Sequence, residues 1–398
     1  MDLLEYAIVK KLAGGGSAGG SNEKLKALVD GSITEVKASD LQGVTKIKDS
    51  AFQSCDYLTS IEIPDTVEKI GEFAFAYNPN LNNLTIPENV RQIGYGICEG
   101  CEGLKKVEIN TRPDEVDGSM FTDCYGLLEE DGGIYLDAPE TLAYVNGSHF
   151  GMLGYNLYIN GEPVTTYNGR TYDYFLIGCA NVEKAYIDGG VSQAAFKDCT
   201  NLSYAQIDCE GAKVQSYAFA GCENLEEVDF VLWGGKTDIL NESRYAFQNC
   251  VSLKKVSSNE GLRFIGAYCF DNCSALTDID LSECAYVNEG AFNGCTSLTS
   301  LNMPKANYIY RNAFKGCVSL TDVDLGNETD KIMVRAFENC TSLTSLTIRA
   351  TTPPELSDSA FLGTSTDLTI YVPSESVDVY KSATNWSEYA DQIQAIEE

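Results

Sequence analysis

The chain has 398 residues, 44% of them hydrophobic, and a formal net charge of −30. Its acids are scattered among apolar residues and form no blocks, so the composition reads as a folded chain with ample core material and not as an acidic tail. The charge argues against nucleic acid and anionic lipid as partners, because both need clustered Lys and Arg. It leaves room for a basic partner or a divalent cation. No stretch reaches the roughly 18 apolar residues of a membrane span, so none is expected.

In chain order, residues 1–21 read as a flexible N-terminal segment ending in Gly14, Gly15, Gly16, Gly19 and Gly20. Asp2 and Glu5 stand where a secretory leader would be basic, and Lys10 and Lys11 follow its short apolar stretch, so no secretory signal is recognisable. Residues 22–44 are expected to form an N-terminal cap. Ser21 or Asn22 would open a helix there, with Leu25, Leu28 and Val29 on one face.

A repeat occupies residues 45–127 and again 173–365. The pair Ala51-Phe52 returns as Ala74-Phe75, Ala195-Phe196, Ala218-Phe219, Ala246-Phe247, Ala291-Phe292, Ala313-Phe314, Ala336-Phe337 and Ala360-Phe361. Degenerate copies stand at Ile97-Cys98, Met120-Phe121, Phe175-Leu176 and Cys269-Phe270. Three residues after the Phe position stands Cys, as in Cys55, Cys101, Cys222, Cys250 and Cys340. Three further on stands Leu, and then two apolar residues flank a polar one, as in Val228/Phe230. Such alternation is a short strand with one buried face, and a strand this short buries that face only by stacking on others like it. Pro64, Pro87 and Pro304 end their strands, because proline cannot donate to a ladder. The glycines of Ile70-Gly71, Ile93-Gly94 and Ile265-Gly266 are expected to permit a tight turn before the Ala-Phe corner. The fold class expected is a repeat solenoid, a right-handed β-rich superhelix of about 13 coils with a 22–23 residue period and helical N- and C-terminal caps.

The element Ile-Gly-x-x-Ala-Phe-x-x-Cys-x-x-Leu-x-x-Ile-x-Ile-Pro resembles the BspA-type leucine-rich repeat, over about residues 45 to 365. Leu368 to Pro373 and the segment after it are similar to that family's terminal cap. Family members resemble bacterial surface adhesins that bind host matrix proteins or other cells, and they are abundant in gut bacteria. The resemblance thus implies an extracellular or cell-surface protein that binds a protein or cell-surface ligand. The opening segment, by contrast, looks like the N-terminus of some phage tail-associated proteins. That points to the alternative of a phage or prophage tail-associated receptor-binding protein carried in the virion.

Residues 128–172 break the register and read as degenerate repeats or an insertion. Within them Tyr158–Val164 reads as a hairpin turning on Asn160-Gly161. Residues 366–398 read as a C-terminal cap, with Val377, Val379, Tyr380, Trp386, Tyr389 and Ile393 spaced to cover the last coil.

Little in the chain points to catalysis. His149 is the only histidine, and Gly147-Ser148-His149-Phe150-Gly151 lacks the form of a nucleophile elbow. Of the 15 cysteines, eleven fall in one repeat column, where a thiol acts as a small buried hydrophobe with a weak donor. Asn78 takes that column in the second coil, as an Asn/Cys corner would allow. Only Cys98 and Cys101 have the spacing of a zinc pair, and Cys98 sits in the Phe column. The glycines at 14–20 lack the Lys-Ser/Thr of a phosphate loop. No enzyme, no cofactor and no metal site are expected, and a monomer is favoured.

The outward strand positions carry the candidate binding residues. Stacking should turn them into two adjacent columns on one sheet face, with Tyr186, Tyr204, Glu227, Asp229, Asp278, Asp280, Asp322 and Asp324 as candidates for meeting a basic partner or Ca²⁺.

Overall fold

The computed structural model describes residues 31–111, 115–116, 119–128, 133–136, 157–159, 162–169, 171, 176–209, 213–232, 238 and 240–397. The chain is a parallel β-solenoid of about 13 turns. It divides into two compact units, residues 1–165 with 175–181, and residues 166–174 with 182–398.

In the first unit one sheet runs through Glu35–Val36, Ser60–Ile61, Asn83–Ile86, Lys106–Ile109, Gly133–Leu136 and Leu157–Ile159, all in parallel. Its last strand then pairs antiparallel with Glu162–Pro163, Tyr158 opposite Pro163. A second sheet stacks the two-residue strands Lys46–Ile47, Lys69–Ile70, Gln92–Ile93 and Glu115–Val116.

In the second unit the main ladder runs through Thr166–Gly169, Lys184–Asp188, Tyr204–Cys209, Glu227–Leu232, Lys255–Ser258 and Asp278–Ile279. A separate sheet joins Ser300–Met303, Asp322–Leu325, Ser345–Ile348, Thr369–Val372 and Ile393–Ala395. A third stacks Phe264–Ile265, Tyr286–Val287, Tyr308–Ile309, Lys331–Ile332 and Glu355–Leu356.

The interior follows from the repeat. Phe196, Phe219, Phe247, Phe270, Phe292, Phe314, Phe337 and Phe361 stack ring on ring, most at 5.2–5.3 Å between centroids. The small residue before each Phe, alanine or in one coil Cys269, is buried and leaves room for the ring. At this corner the Phe N–H donates to the next coil, as Phe219 does to Ala246 at 2.7 Å.

Cysteine completes the corner. The thiols of Cys101, Cys124, Cys222, Cys250, Cys273, Cys295, Cys317 and Cys340 each donate to a Phe-column carbonyl of the coil before, at 2.9–3.3 Å. Most of these carbonyls also accept the N–H three residues on, as Phe219 does from Cys222 at 3.1 Å, so the thiol is a second donor to a buried acceptor.

The glycines of the Ile-Gly pairs do something other than turn. Gly71, Gly94 and Gly266 have no positive φ. A Cβ on Gly94 would stand 2.5 Å from the Glu72 nitrogen, and one on Gly266 2.7 Å from the Leu240 oxygen. They are small because neighbouring backbones pass close there. The left-handed conformations fall at two other columns. One precedes the Ala-Phe pair (Ser50, Tyr217, Tyr245, Tyr268, Asn312) and the other precedes the cysteine (Ser54, Asp198, Asn249, Asn272, Asn339), with glycines such as Gly221 and Gly316 also in the second.

At the C-terminal end the helix Val377–Ser382 and the turn Trp386–Tyr389 close the second unit. Tyr380 Oη donates to the Ala350 carbonyl and Trp386 Nε1 to the Pro354 carbonyl, both at 2.8 Å. Tyr380, Trp386 and Ile393 are buried, whereas Val379 is exposed. In residues 31–44 the secondary structure is Glu35–Val36 and the 3₁₀ turn Ala38–Leu41. The expected flexible segment and residues 22–30 of the N-terminal cap lie outside the described residues, as do His149 and the Asn160-Gly161 pair. Among the described residues no helix is long and apolar enough to cross a membrane.

Candidate functional site

The main ladder of the second unit sets the candidate residues in register. Along its first outward row Lys184, Tyr204, Glu227, Lys255 and Asp278 stand opposite one another, and along the second Tyr186, Gln206, Asp229 and Ser257. Tyr186 and Tyr204 approach to 5.8 Å between centroids at a tilt of 56°.

The rows are cross-linked by charge. Tyr204 Oη donates to Asp229 Oδ2 at 2.7 Å, Ser257 Oγ donates to Asp229 Oδ1, and Lys255 pairs with Glu227. Burial and the Asp229 carboxylate push the Tyr204 phenol well above its ordinary range, so it stays a donor. Glu227 holds the Lys255 ammonium above its usual value. Lys255 and Ser257 belong to this network although the sequence analysis did not count them as candidates.

The hydrogen-bonded ladder that carries these rows ends at Asp278–Ile279, and a separate one begins at Ser300. Asp280 lies beyond the strand Asp278–Ile279, because its carboxylate accepts from the Ser282 N–H at 2.9 Å and folds a local turn. Asp322 and Asp324 stand on the separate sheet that begins at Ser300. There Asp324 is held by Arg349 through two contacts of 3.0 and 2.6 Å, and Asp322 accepts from Thr321 Oγ1 at 2.6 Å.

Every cysteine whose side chain is described is a buried free thiol. Burial pushes Cys284 up to about 12 and Cys55 up to about 11, where a thiol is a poor nucleophile. Cys98 is likewise pushed up by burial, and Cys101 gives its proton to the Phe75 carbonyl. Among the described residues no three His, Cys, Asp or Glu side chains converge as a metal site.

Aromatic rows were the feature that sequence reasoning missed. Tyr217, Tyr245 and Tyr268 stack at 5.1 and 5.0 Å, and Phe264, Tyr286 and Tyr308 stack at 4.8 and 5.5 Å. Aligning the positions before each Ala-Phe pair would have exposed them.

The pattern of strands, corners and thiols matches a known model. The BspA type leucine rich repeat region aligns with residues 29–131, 189–308 and 282–389, well over half of the chain. The chain belongs to the BspA type leucine rich repeat family. Its fold is similar to that of a leucine-rich repeat protein from Bacteroides ovatus, at 24% identity and a TM-score of 0.52, over 89% of this chain and 88% of that one. A leucine rich cell surface protein from Faecalibacterium prausnitzii aligns at 21% identity and a TM-score of 0.34, over 79% of this chain and 83% of that one. A leucine-rich repeat protein from Eubacterium ventriosum aligns at 18% identity and a TM-score of 0.36, over 84% of this chain and 83% of that one. No match was found among curated proteins. As in a BspA type repeat, the apolar consensus residues here go to the interior, which leaves variable polar and aromatic side chains on the outside.

Proposed function

We propose that this BspA type repeat protein is a non-catalytic recognition protein that meets a protein or cell-surface ligand at the cell surface or outside the cell. The observation that carries it is the registered outward face of Tyr186, Tyr204, Glu227, Asp229 and Asp278, held by cross-strand bonds in a chain of net charge −30. A pre-ordered face loses little side-chain freedom on binding. Its tyrosines supply contact area and its carboxylates select a basic partner. The described thiols, buried and free of any metal cluster among the described residues, support a scaffold role over a catalytic one.

Two measurements test this. A synthetic peptide of alternating Lys and Phe should bind the full chain. The exposed-face variant Glu227→Gln/Asp229→Asn should lower that affinity about tenfold, as the loss of charge-assisted contacts implies. An unchanged affinity removes this face from consideration. Fractionation of source cells should place the protein in the envelope or the medium, and a purely cytosolic pool contradicts the location.

A further inference from the structure

In so acidic a chain the basic residues that lack an acidic partner carry information. Among the described residues the guanidiniums of Arg311, Arg335 and Arg349 pair with Glu289, Glu338 and Asp324. Among the described residues Arg244 and Arg263 have no carboxylate at ion-pair distance; each is exposed and packs on an aromatic ring. Arg244 lies 5.9 Å from the Tyr245 centroid and Arg263 5.3 Å from that of Phe264. Glu289, the carboxylate within electrostatic reach of Arg244, is already taken by Arg311 at 2.7 Å and Tyr268 at 2.9 Å.

These two arginines stand on the two aromatic rows of the second unit. Tyr245 stacks on Tyr268, and Phe264 begins the other row only four residues before Tyr268 on the same coil. The two rows thus meet one coil four residues apart, and all their residues are at least partly exposed. Gly290 follows Tyr268 in its column, and a side chain there would strike the Tyr268 ring, so the Tyr217–Tyr245–Tyr268 row has a built end.

We propose that these rows, with Arg244 and Arg263, form a docking surface for an acidic segment of a partner protein, a peptide in which carboxylates alternate with apolar side chains. Charge complementarity names the occupant: planar guanidiniums without an internal carboxylate match carboxylates two bonds at a time. Tyrosine and arginine together are the side chains that dominate protein interfaces. Within each row the rings stack face to face, which covers the faces a sugar would need and presents edges and hydroxyls. Two separated guanidiniums are too sparse for a nucleic acid or a densely sulfated chain, which need clustered basic groups. The surface is distinct from the acidic face proposed above, although its purpose rests on the same reading of the chain as a recognition protein.

The test uses the full chain and three synthetic peptides of alternating Glu and Phe, Gln and Phe, or Lys and Phe, followed by calorimetry. The Glu–Phe peptide should bind at least about tenfold more tightly than the Gln–Phe peptide. In Arg244→Gln/Arg263→Gln that preference should vanish, with the thermal midpoint unchanged because both side chains are exposed. Arg91→Gln, which removes an exposed arginine of the first unit, should keep the preference. Equal affinity for the Glu–Phe and Gln–Phe peptides overturns the proposal, as does a preference that survives the double variant or disappears in Arg91→Gln. Stronger binding of heparin, lost in the same double variant, reassigns the surface to a sulfated glycan and overturns it too. Lys–Phe binding that persists while Glu–Phe binding fails sinks this surface alone and leaves the acidic face standing.

Discussion

The Asn78 Nδ2 donates to the Phe52 carbonyl at 2.8 Å, the acceptor position of the preceding coil that Cys250 reaches at Phe219 with its thiol, at 3.1 Å. Asparagine and cysteine are interchangeable at this corner because the corner asks only for a short donor. The exchange is not free of consequence, since Asn78 Oδ1 is buried without a hydrogen-bond partner. Asn78→Cys keeps a donor and removes that orphan oxygen, so it should raise the thermal midpoint. Asn78→Ala should lower stability by about 1–3 kcal/mol through the carbonyl left unpaired and the void left behind. Thermal unfolding followed by circular dichroism compares the two.

Alkaline pH should unfold the chain through its thiols. Burial raises the folded-state values of several, Cys284 from 9.0 to about 12 and Cys55 to about 11. Below pH 9 both states hold the proton and these groups contribute no pH dependence. Above it the unfolded chain loses protons that the folded chain retains, so stability falls as pH rises from about 9 towards 12. Each such thiol adds about 1.4 kcal/mol per pH unit in that window. Unfolding midpoints at pH 8 and pH 10.5 check the sign. A midpoint that rises would mean the thiols are not buried.

The same burial predicts slow chemistry. A thiol reagent added at pH 7.5 should modify few cysteines in the folded protein and almost all of them in guanidinium. Rapid native labelling of Cys222, Cys250 or Cys295 contradicts the ladder of thiol-to-carbonyl bonds.

Close backbone approach should make Gly94→Ala costlier than Gly43→Ala. The first drives a methyl to 2.5 Å from the Glu72 nitrogen of the neighbouring coil, and backbone cannot easily yield. The second meets nothing within 4 Å and suffers only its φ of +78°. The expected losses are about 3 kcal/mol or more against about 1–2 kcal/mol. Urea titration of both variants measures the order.

Trp386→Phe removes the donor to the Pro354 carbonyl at the closing end of the second unit and should cost about 1–3 kcal/mol. Hydrogen exchange should show the loss in Ser345–Ile348 and Thr369–Val372 before it reaches coils near Phe219. Uniform acceleration across the unit would mean that it opens only as a whole.

Residue type exposed the interior and concealed much of the exterior. Ala-Phe, Cys and the strand apolars recur because each packs on copies of itself, so their positions could be read directly from spacing. Asn78 was legible for the same reason. The Ile-Gly glycines were legible as positions and not as causes, since spacing cannot separate a tight turn from a close neighbour. Asp280 and Asp324 seemed to continue the row of Asp229. Backbone pairing decided otherwise: Asp280 bonds the Ser282 N–H beyond the strand end, and Asp324 lies on the sheet that begins at Ser300, where Arg349 holds it. The tyrosine rows hid because tyrosine is scattered through the chain, and only alignment by coil brings Tyr217, Tyr245 and Tyr268 into one column.

The thiol bonds of Cys101, Cys124, Cys222, Cys250, Cys273, Cys295, Cys317 and Cys340 each join one coil to the coil before it. A duplication or deletion of one whole period therefore creates a new junction with the same donor facing the same acceptor. A gain or loss of a few residues in the corner breaks the bond on both sides. Length in this chain can change by whole coils during descent while each junction stays chemically identical, and the outward residues of a newly copied coil are then free to diverge.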